Sequence, residues 1–209
     1  MDKIGIYAGS FNPIHCGHLV IITKALKIFD KVVVLIADNP NKKESCFATR
    51  MSFAKQATEA LGEKVEVCYA KGLVVDFALQ YAKKNNTKSI TFIKGLRNGI
   101  DFLYEKSLAE YNKAMSSNSY TPVDLDIGEI DTIYFQSNLK YDILSSSVIR
   151  EMAKVSETEE KFIQFNKENN IYGFQGNGSE RYYDWLKDIY KEYHKWLVLI
   201  QIQKNTYSL

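Results

Sequence analysis

The 209-residue chain has no excess of either charge: 27 Lys and Arg face 25 Asp and Glu, leaving +2. A total this small asks for no long polyanion, so nucleic acid is not an expected partner and any anion binding must be local. Cysteine is scarce. Cys16, Cys46 and Cys68 are odd in number and lack metal-ligand spacing, which argues against a disulfide framework or zinc cluster and for packing roles in a reduced compartment. Long apolar runs are also missing. The longest late one, Trp196 to Ile202, is too short to span a bilayer. Met1-Asp2-Lys3 leads straight into a short strand-like run, without the apolar region and cleavage site of a secretory signal. The expectation is a cytoplasmic protein with no membrane contact. No internal repeat is visible.

What the chain does have is 45% hydrophobic residues, enough for one sizeable core with an appendage. Lys3 to Ala8 reads as a strand. Gly17 to Phe29 reads as a helix with Leu19, Ile22, Ala25, Leu26 and Phe29 on one face, and Lys31 to Ala37 as a fully buried strand. The alternation continues with helices over Arg50 to Leu61, Val74 to Lys84, Asp101 to Met115 and Ser146 to Lys154. Strands are expected over Lys64 to Tyr69, Lys88 to Ile93 and Asp131 to Phe135. This pattern predicts a doubly wound α/β fold, a parallel sheet with helices on both faces and ligands beyond the carboxyl ends of its strands. Met115 to Asp126 reads as a loop or insertion. After Lys154 the alternation stops; a mixed, Gly- and Asn-rich stretch leads to a helical-length aromatic pattern from Arg181 to Gln203, with Tyr182, Trp185, Ile189, Tyr193 and Trp196. The expected domains are 1–154 and a helical C-terminal extension, 155–209.

The costliest stretch comes first. "GSFNPIHCGH", Gly9 to His18, follows the first strand and opens the first helix. Gly9-Ser10 lets the backbone turn tightly and approach a ligand, and Pro13 stiffens the loop. The backbone N–H groups and dipole of the helix end would face an anion. His15 and His18, three apart, would share a face at that positive end if both lie in the first turn, and imidazoles donate to phosphate oxygens. Either histidine alone reads as a cap or a packing residue; together, in this context, they favour phosphate binding. A zinc pair is the weaker alternative, since no third ligand stands nearby.

With these residues in view, "GSFNPIHCGH" resembles the His-x-Gly-His signature of the nucleotidylyltransferase superfamily, whose fold is Rossmann-like. "ADNPNKK", "KGLRNGIDFLYE" and "ILSSSVIRE" resemble, in order, the bacterial phosphopantetheine adenylyltransferase family, over residues 3 to about 154. The resemblance implies transfer of AMP from ATP to 4'-phosphopantetheine, giving dephospho-coenzyme A and pyrophosphate, with Mg2+. It implies that Ser10 and Phe11 touch substrate phosphate and nucleotide, with His15 beside them, and that His18 stabilises the transition state. Lys42 would bind the pantetheine phosphate, with Lys43 able to exchange roles, and Val74 would line the pantetheine arm. Lys94 stands for a substrate-binding arginine, Gly95 and Arg97 for nucleotide contacts, and Glu105 for an acidic nucleotide contact. Tyr141 to Ser147, ending in Ser145-Ser146-Ser147, would hold the triphosphate, with Arg150 following on the same helix. His18, Lys42 and Arg97 form the expected catalytic set, with no protein-bound metal, and the family often forms homo-hexamers.

The residues make chemical sense of this reaction. A phosphate monoester is already an anionic nucleophile, so the site must align reactants and neutralise charge rather than supply a general base. Three departures from the family pattern stand out. His15 replaces a usual threonine, so "NPIHCGH" also matches nicotinate mononucleotide adenylyltransferase. Lys94 replaces an arginine and loses its bidentate fork. The tail after Lys154 is longer than usual. The rival functions are therefore nicotinate or nicotinamide mononucleotide adenylyltransferase, or a non-catalytic nucleotide sensor on the same fold.

Overall fold

The computed structural model describes residues 3–38, 46–96, 99–116, 129–137, 145–168, 184 and 186–194. The chain divides into two compact units, Met1–Asp142 and Ile143–Leu209. In the first, β1 (Ile4–Gly9), α1 (Cys16–Ala25), β2 (Lys31–Ala37), α2 (Phe47–Thr58), a 3-10 stretch (Glu59–Lys64) and β3 (Val65–Ala70) are followed by α3 (Val74–Asn85), β4 (Ile90–Leu96), α4 (Gly99–Ser116) and β5 (Thr132–Gln136). The second holds α5 (Ser146–Val155), α6 (Glu159–Glu168) and helical residues 186–194.

All five strands are parallel, in the order β3-β2-β1-β4-β5. Such a sheet is covered on both sides, which is why Val32 to Ile36 form an unbroken apolar run with no exposed member. On one face Ile6, Val33, Leu35 and Phe92 pack against Val75, Ala78, Tyr81 and Ala82 of α3. On the other, α1 lies so close to β4 that a Cβ at Gly95 would sit 3.0 Å from Cγ1 of Ile21. Burying each such Val, Leu, Ile or Phe contributes roughly 1.5–3 kcal/mol. The expected doubly wound sheet is the one observed. The order places β1 and β4 side by side at the sheet centre, with the chain leaving them toward opposite edges. The crevice beyond their carboxyl ends is where this architecture binds ligands.

The boundaries shift in instructive ways. Helix α1 closes at Ala25 rather than Phe29, and the chain leaves it through tighter turns, with Lys27 N–H donating to Lys24 O and Ile28 N–H to Ala25 O. Helix α2 starts three residues earlier than expected, and its last predicted turn is the 3-10 stretch, where Gly62 takes φ 63°. Strand β4 runs on through Lys94 and Gly95, past the expected end at Ile93. They stay in the sheet because β5 continues alongside, pairing Lys94 with Tyr134 and Gly95 with Phe135. The second unit holds a helix that the mixed composition concealed. Thr158 caps α6, its Oγ1 accepting from Lys161 N–H at 3.2 Å, and Phe162 is fully buried. Of the aromatic pattern from Arg181 to Gln203, residues 186–194 are helical, with Ile189 and Tyr193 buried; its ends lie outside the described residues, as do residues 117–126 of the expected loop.

Candidate functional site

The β1–α1 turn lies at that central crevice and is folded inward. Phe11 takes φ 44°, a left-handed conformation that a bulky residue adopts only when its surroundings hold it there. The hold is aromatic. Its buried ring meets Tyr7 edge-on at 5.2 Å and His18 at 5.0 Å, and a Cβ on Gly9 would come within 3.3 Å of it. With the ring packed inside, what Phe11 can present to a ligand is its backbone.

The helix begins at Cys16, so His15 is its N-cap rather than part of the first turn, and His18 is the third helical residue. The two imidazoles nevertheless meet, their centroids 3.7 Å apart and their planes inclined by 32°. His15 N–H donates to Nδ1 of His18 at 3.1 Å. That acceptor role places the proton of a neutral His18 ring on Nε2. His15 is buried and His18 half-buried, so His18 is the better placed of the two to reach a ligand.

Beneath the turn lies a residue whose only mark in the sequence is its place near the start of a helix. Arg50 of α2 is 1% exposed. Its Nη1 donates to Ser10 O at 3.0 Å and more weakly to Ala37 O at 3.4 Å; its Nη2 pairs with Asp38 Oδ1 at 2.5 Å. Asp38 also accepts from the Tyr69 hydroxyl at 2.7 Å, and Tyr69 stacks on Phe47 at 4.4 Å. The Tyr69 hydrogen bond and the Arg50 pair hold the Asp38 carboxyl below the ordinary carboxylate range, although partial burial pushes it up. Sequence periodicity offers no sign of this: a lone arginine in a helix reads as surface.

At the end of β4, Lys94 Nζ lies 2.8 Å from Glu105 Oε2 of α4, both side chains mostly shielded from solvent. Two expected ligand-binding residues are thus partners of each other. Gly95 serves packing as well: a Cβ there would press on Ile21 at 3.0 Å and on the Tyr7 hydroxyl at 3.3 Å. Tyr7 therefore joins the two halves of the crevice, with His18 6.2 Å from its ring and Gly95 against its hydroxyl. Val74 opens α3 and is partly buried against the core. Lys42, Lys43, Arg97 and Tyr141 lie outside the described residues.

In the second unit, Ser145 is the N-cap of α5, its Oγ accepting from Val148 N–H at 3.2 Å. Ser146 and Ser147 occupy the first turn, and Arg150 Nη2 donates to Ser147 Oγ at 3.0 Å. Among the described residues no group of three His, Cys, Asp or Glu side chains could hold a metal, and no helix is long and apolar enough to cross a membrane.

Residues 6–152 match the cytidylyltransferase-like family model. A phosphopantetheine adenylyltransferase of Wolbachia pipientis is 35% identical over 172 residues, 81% of this chain and 92% of that protein. One from Nautilia profundicola is 41% identical over 150 residues, 71% and 86% of the two chains. Among solved structures, a bifunctional NMN adenylyltransferase/ADP ribose pyrophosphatase from Francisella tularensis, complexed with AMP and a manganese ion, superposes with a TM-score of 0.54 at 16% identity. That match covers all of this chain and 57% of the other. The nicotinic acid mononucleotide adenylyltransferase of Plasmodium falciparum, complexed with NaAD, gives 0.50 at 17% identity over 84% and 99%. Likeness at this identity establishes a shared fold.

Proposed function

The chain belongs to the phosphopantetheine adenylyltransferase family, within the cytidylyltransferase-like group, and from that premise we propose that it transfers AMP from ATP to 4'-phosphopantetheine. A phosphate oxygen of the acceptor bonds to the α-phosphorus as the bond to the β-phosphate oxygen breaks. The products are dephospho-coenzyme A and pyrophosphate.

The observation that carries this reading is the fixed orientation of His18, whose Nδ1 is committed to the His15 N–H. Nε2–H is then the donor for the oxygen on which charge grows in the transition state, and a preorganised donor of this kind costs no reorientation at the moment of reaction. Ser10 follows β1 directly, where its backbone and hydroxyl suit a phosphate; Phe11 contributes backbone. Lys94, held by Glu105, supplies a cation for the acceptor phosphate, and Val74 suits the pantetheine arm. Gly95, Arg97 and Glu105 take the nucleotide, Lys42 the acceptor phosphate, and Tyr141 with Ser145 to Ser147 the triphosphate, on the strength of the family motifs. Mg2+ would be carried by ATP and would neutralise charge on its phosphates, consistent with its usual binding through few protein ligands. The family match to residue 152 supports an enzymatic domain over 1–154 and an appended 155–209. A cytoplasmic homo-oligomer, a hexamer by the family resemblance, completes the reading, and light scattering measures its size.

The test is purified protein with ATP, Mg2+ and either 4'-phosphopantetheine or nicotinate mononucleotide, followed by pyrophosphate release. Product with the first acceptor is expected. Product with the second alone would transfer the assignment to the pyridine-nucleotide relatives, the reading His15 recommends. Product with neither would leave a nucleotide sensor.

A further inference from the structure

We infer that Arg50 is a positioning residue for the reaction: from beneath the β1–α1 turn it fixes the Ser10 carbonyl, and through it the setting of His18, relative to the end of β2. The inference rests on the adenylyl-transfer reading above and adds a residue that touches no substrate. Three facts carry it. Arg50 is almost wholly buried, yet its hydrogen bonds go to acceptors at the ligand-binding edge of the sheet, Ser10 O, Ala37 O and Asp38. A buried guanidinium is costly unless its donors are satisfied, so the arrangement locks the two adjoining chain segments to one another. The turn it holds carries a left-handed Phe11, a conformation that relaxes unless surrounding structure opposes it.

The lock extends outward in a definite order. Asp38 grips Arg50 and is gripped by Tyr69, which Phe47 covers. Asp38 is half exposed and immediately precedes the segment bearing Lys42, so one guanidinium links the turn of His18 to the root of the segment expected to hold the acceptor. A lysine at position 50 could keep the charge but reach only part of this set, because it lacks the fork.

Arg50→Lys and Asp38→Asn are the variants to compare with wild type, the second keeping an acceptor oxygen opposite Arg50 while removing the charge of its more exposed partner. A reacting group displaced by about 1 Å loses on the order of 100-fold in rate. Arg50→Lys is accordingly expected to lower kcat roughly 10- to 100-fold, with KM for ATP changed less than about twofold. Asp38→Asn should follow in the same direction by a smaller factor. Hydrogen exchange should rise over residues 9–18 in both, while α3 keeps its protection. Wild-type turnover with kcat unchanged in both variants would overturn the positioning role alone. Loss spread equally over kcat, KM and the exchange of every element would also overturn it, by reducing Arg50 to a fold-stabilising residue. A wild type that makes no pyrophosphate would overturn the reaction and the role together.

Discussion

Two carboxylates in the first unit are held by the same kinds of partner at opposite ends of the sheet. Asp38, just past the last residue of β2, is bound by Arg50 at 2.5 Å and by the Tyr69 hydroxyl at 2.7 Å. Glu66, near the start of β3, is bound by Lys31 at 2.6 Å and by the Tyr81 hydroxyl at 2.7 Å. The partners match in kind, but the surroundings do not. The Asp38 group also holds the Ser10 carbonyl at the edge where ligands collect. The Glu66 group sits at the amino edge, beside Cys68, whose thiol is pushed up to about 12, by burial first and by the neighbouring carboxylate second. A thiol held protonated in this way is a weak nucleophile. Composition alone therefore does not separate working groups from structural ones; the strand end on which they stand does.

The comparison breaks first if the turn above Arg50 is not where the chemistry happens. His18→Ala removes the oriented donor and is expected to lower kcat about 100- to 1000-fold, the ~2.7–4 kcal/mol lost with one preorganised oxyanion donor. ATP affinity, measured by equilibrium binding, should change less than about twofold, because the donor acts chiefly in the transition state. This loss also sets a ceiling on what any Arg50 variant can cost. Equal losses in kcat and affinity would make His18 a ground-state binder.

Glu66→Gln is the control at the other end. It removes a half-exposed charge that holds Lys31 and the Tyr81 hydroxyl, and is expected to lower the unfolding free energy by about 1 kcal/mol. Its kcat should equal that of wild type. Urea denaturation and the pyrophosphate assay on the same preparation check both halves, and a fall in kcat per folded molecule would erase the distinction between the two groups.

The same contrast explains which parts of the molecule could be read from the sequence. The run Lys31–Ala37 announced a buried strand and Lys3 to Ala8 a strand because no polar residue interrupts their cores, and both are found in the parallel sheet. The turn between β1 and α1 announced itself through glycine, proline and histidine packed into ten residues. Arg50 stayed hidden because its acceptors stand at positions 10, 37 and 38, and only the parallel order of β1 and β2 brings those positions together. The partnership of Lys94 with Glu105 joins a strand to the following helix and has no local pattern. Helix α6 escaped because charged residues dilute its apolar positions, Phe162, Ile163 and Phe165, and its cap is a threonine without a following Glu or Gln at the third position. Lys42, Arg97 and Tyr141 rest on motif resemblance.

The smallest expected effect concerns the pH at which the Glu66 group loosens. Burial alone would raise the Glu66 carboxyl, but hydrogen bonds from Lys31 and Tyr81 outweigh it and hold the group below its ordinary value. Lys31 is raised, chiefly by its hydrogen bond to Glu66. A depressed carboxylate stabilises the fold above its unfolded pKa, near 4.3, and loses that contribution as the pH falls through the folded value. A raised ammonium contributes below its unfolded pKa, near 10.4, and loses it as the pH rises through the folded value. The stability difference between wild type and Glu66→Gln should therefore be flat through neutral pH and close at both extremes, with an amplitude of at most about 1 kcal/mol for so exposed a pair. Denaturation series from about pH 3 to 11 would trace it. A gap that persisted unchanged below about pH 3 would mean that Glu66 acts by shape rather than charge, leaving the Asp38 group as the one whose ion pair matters.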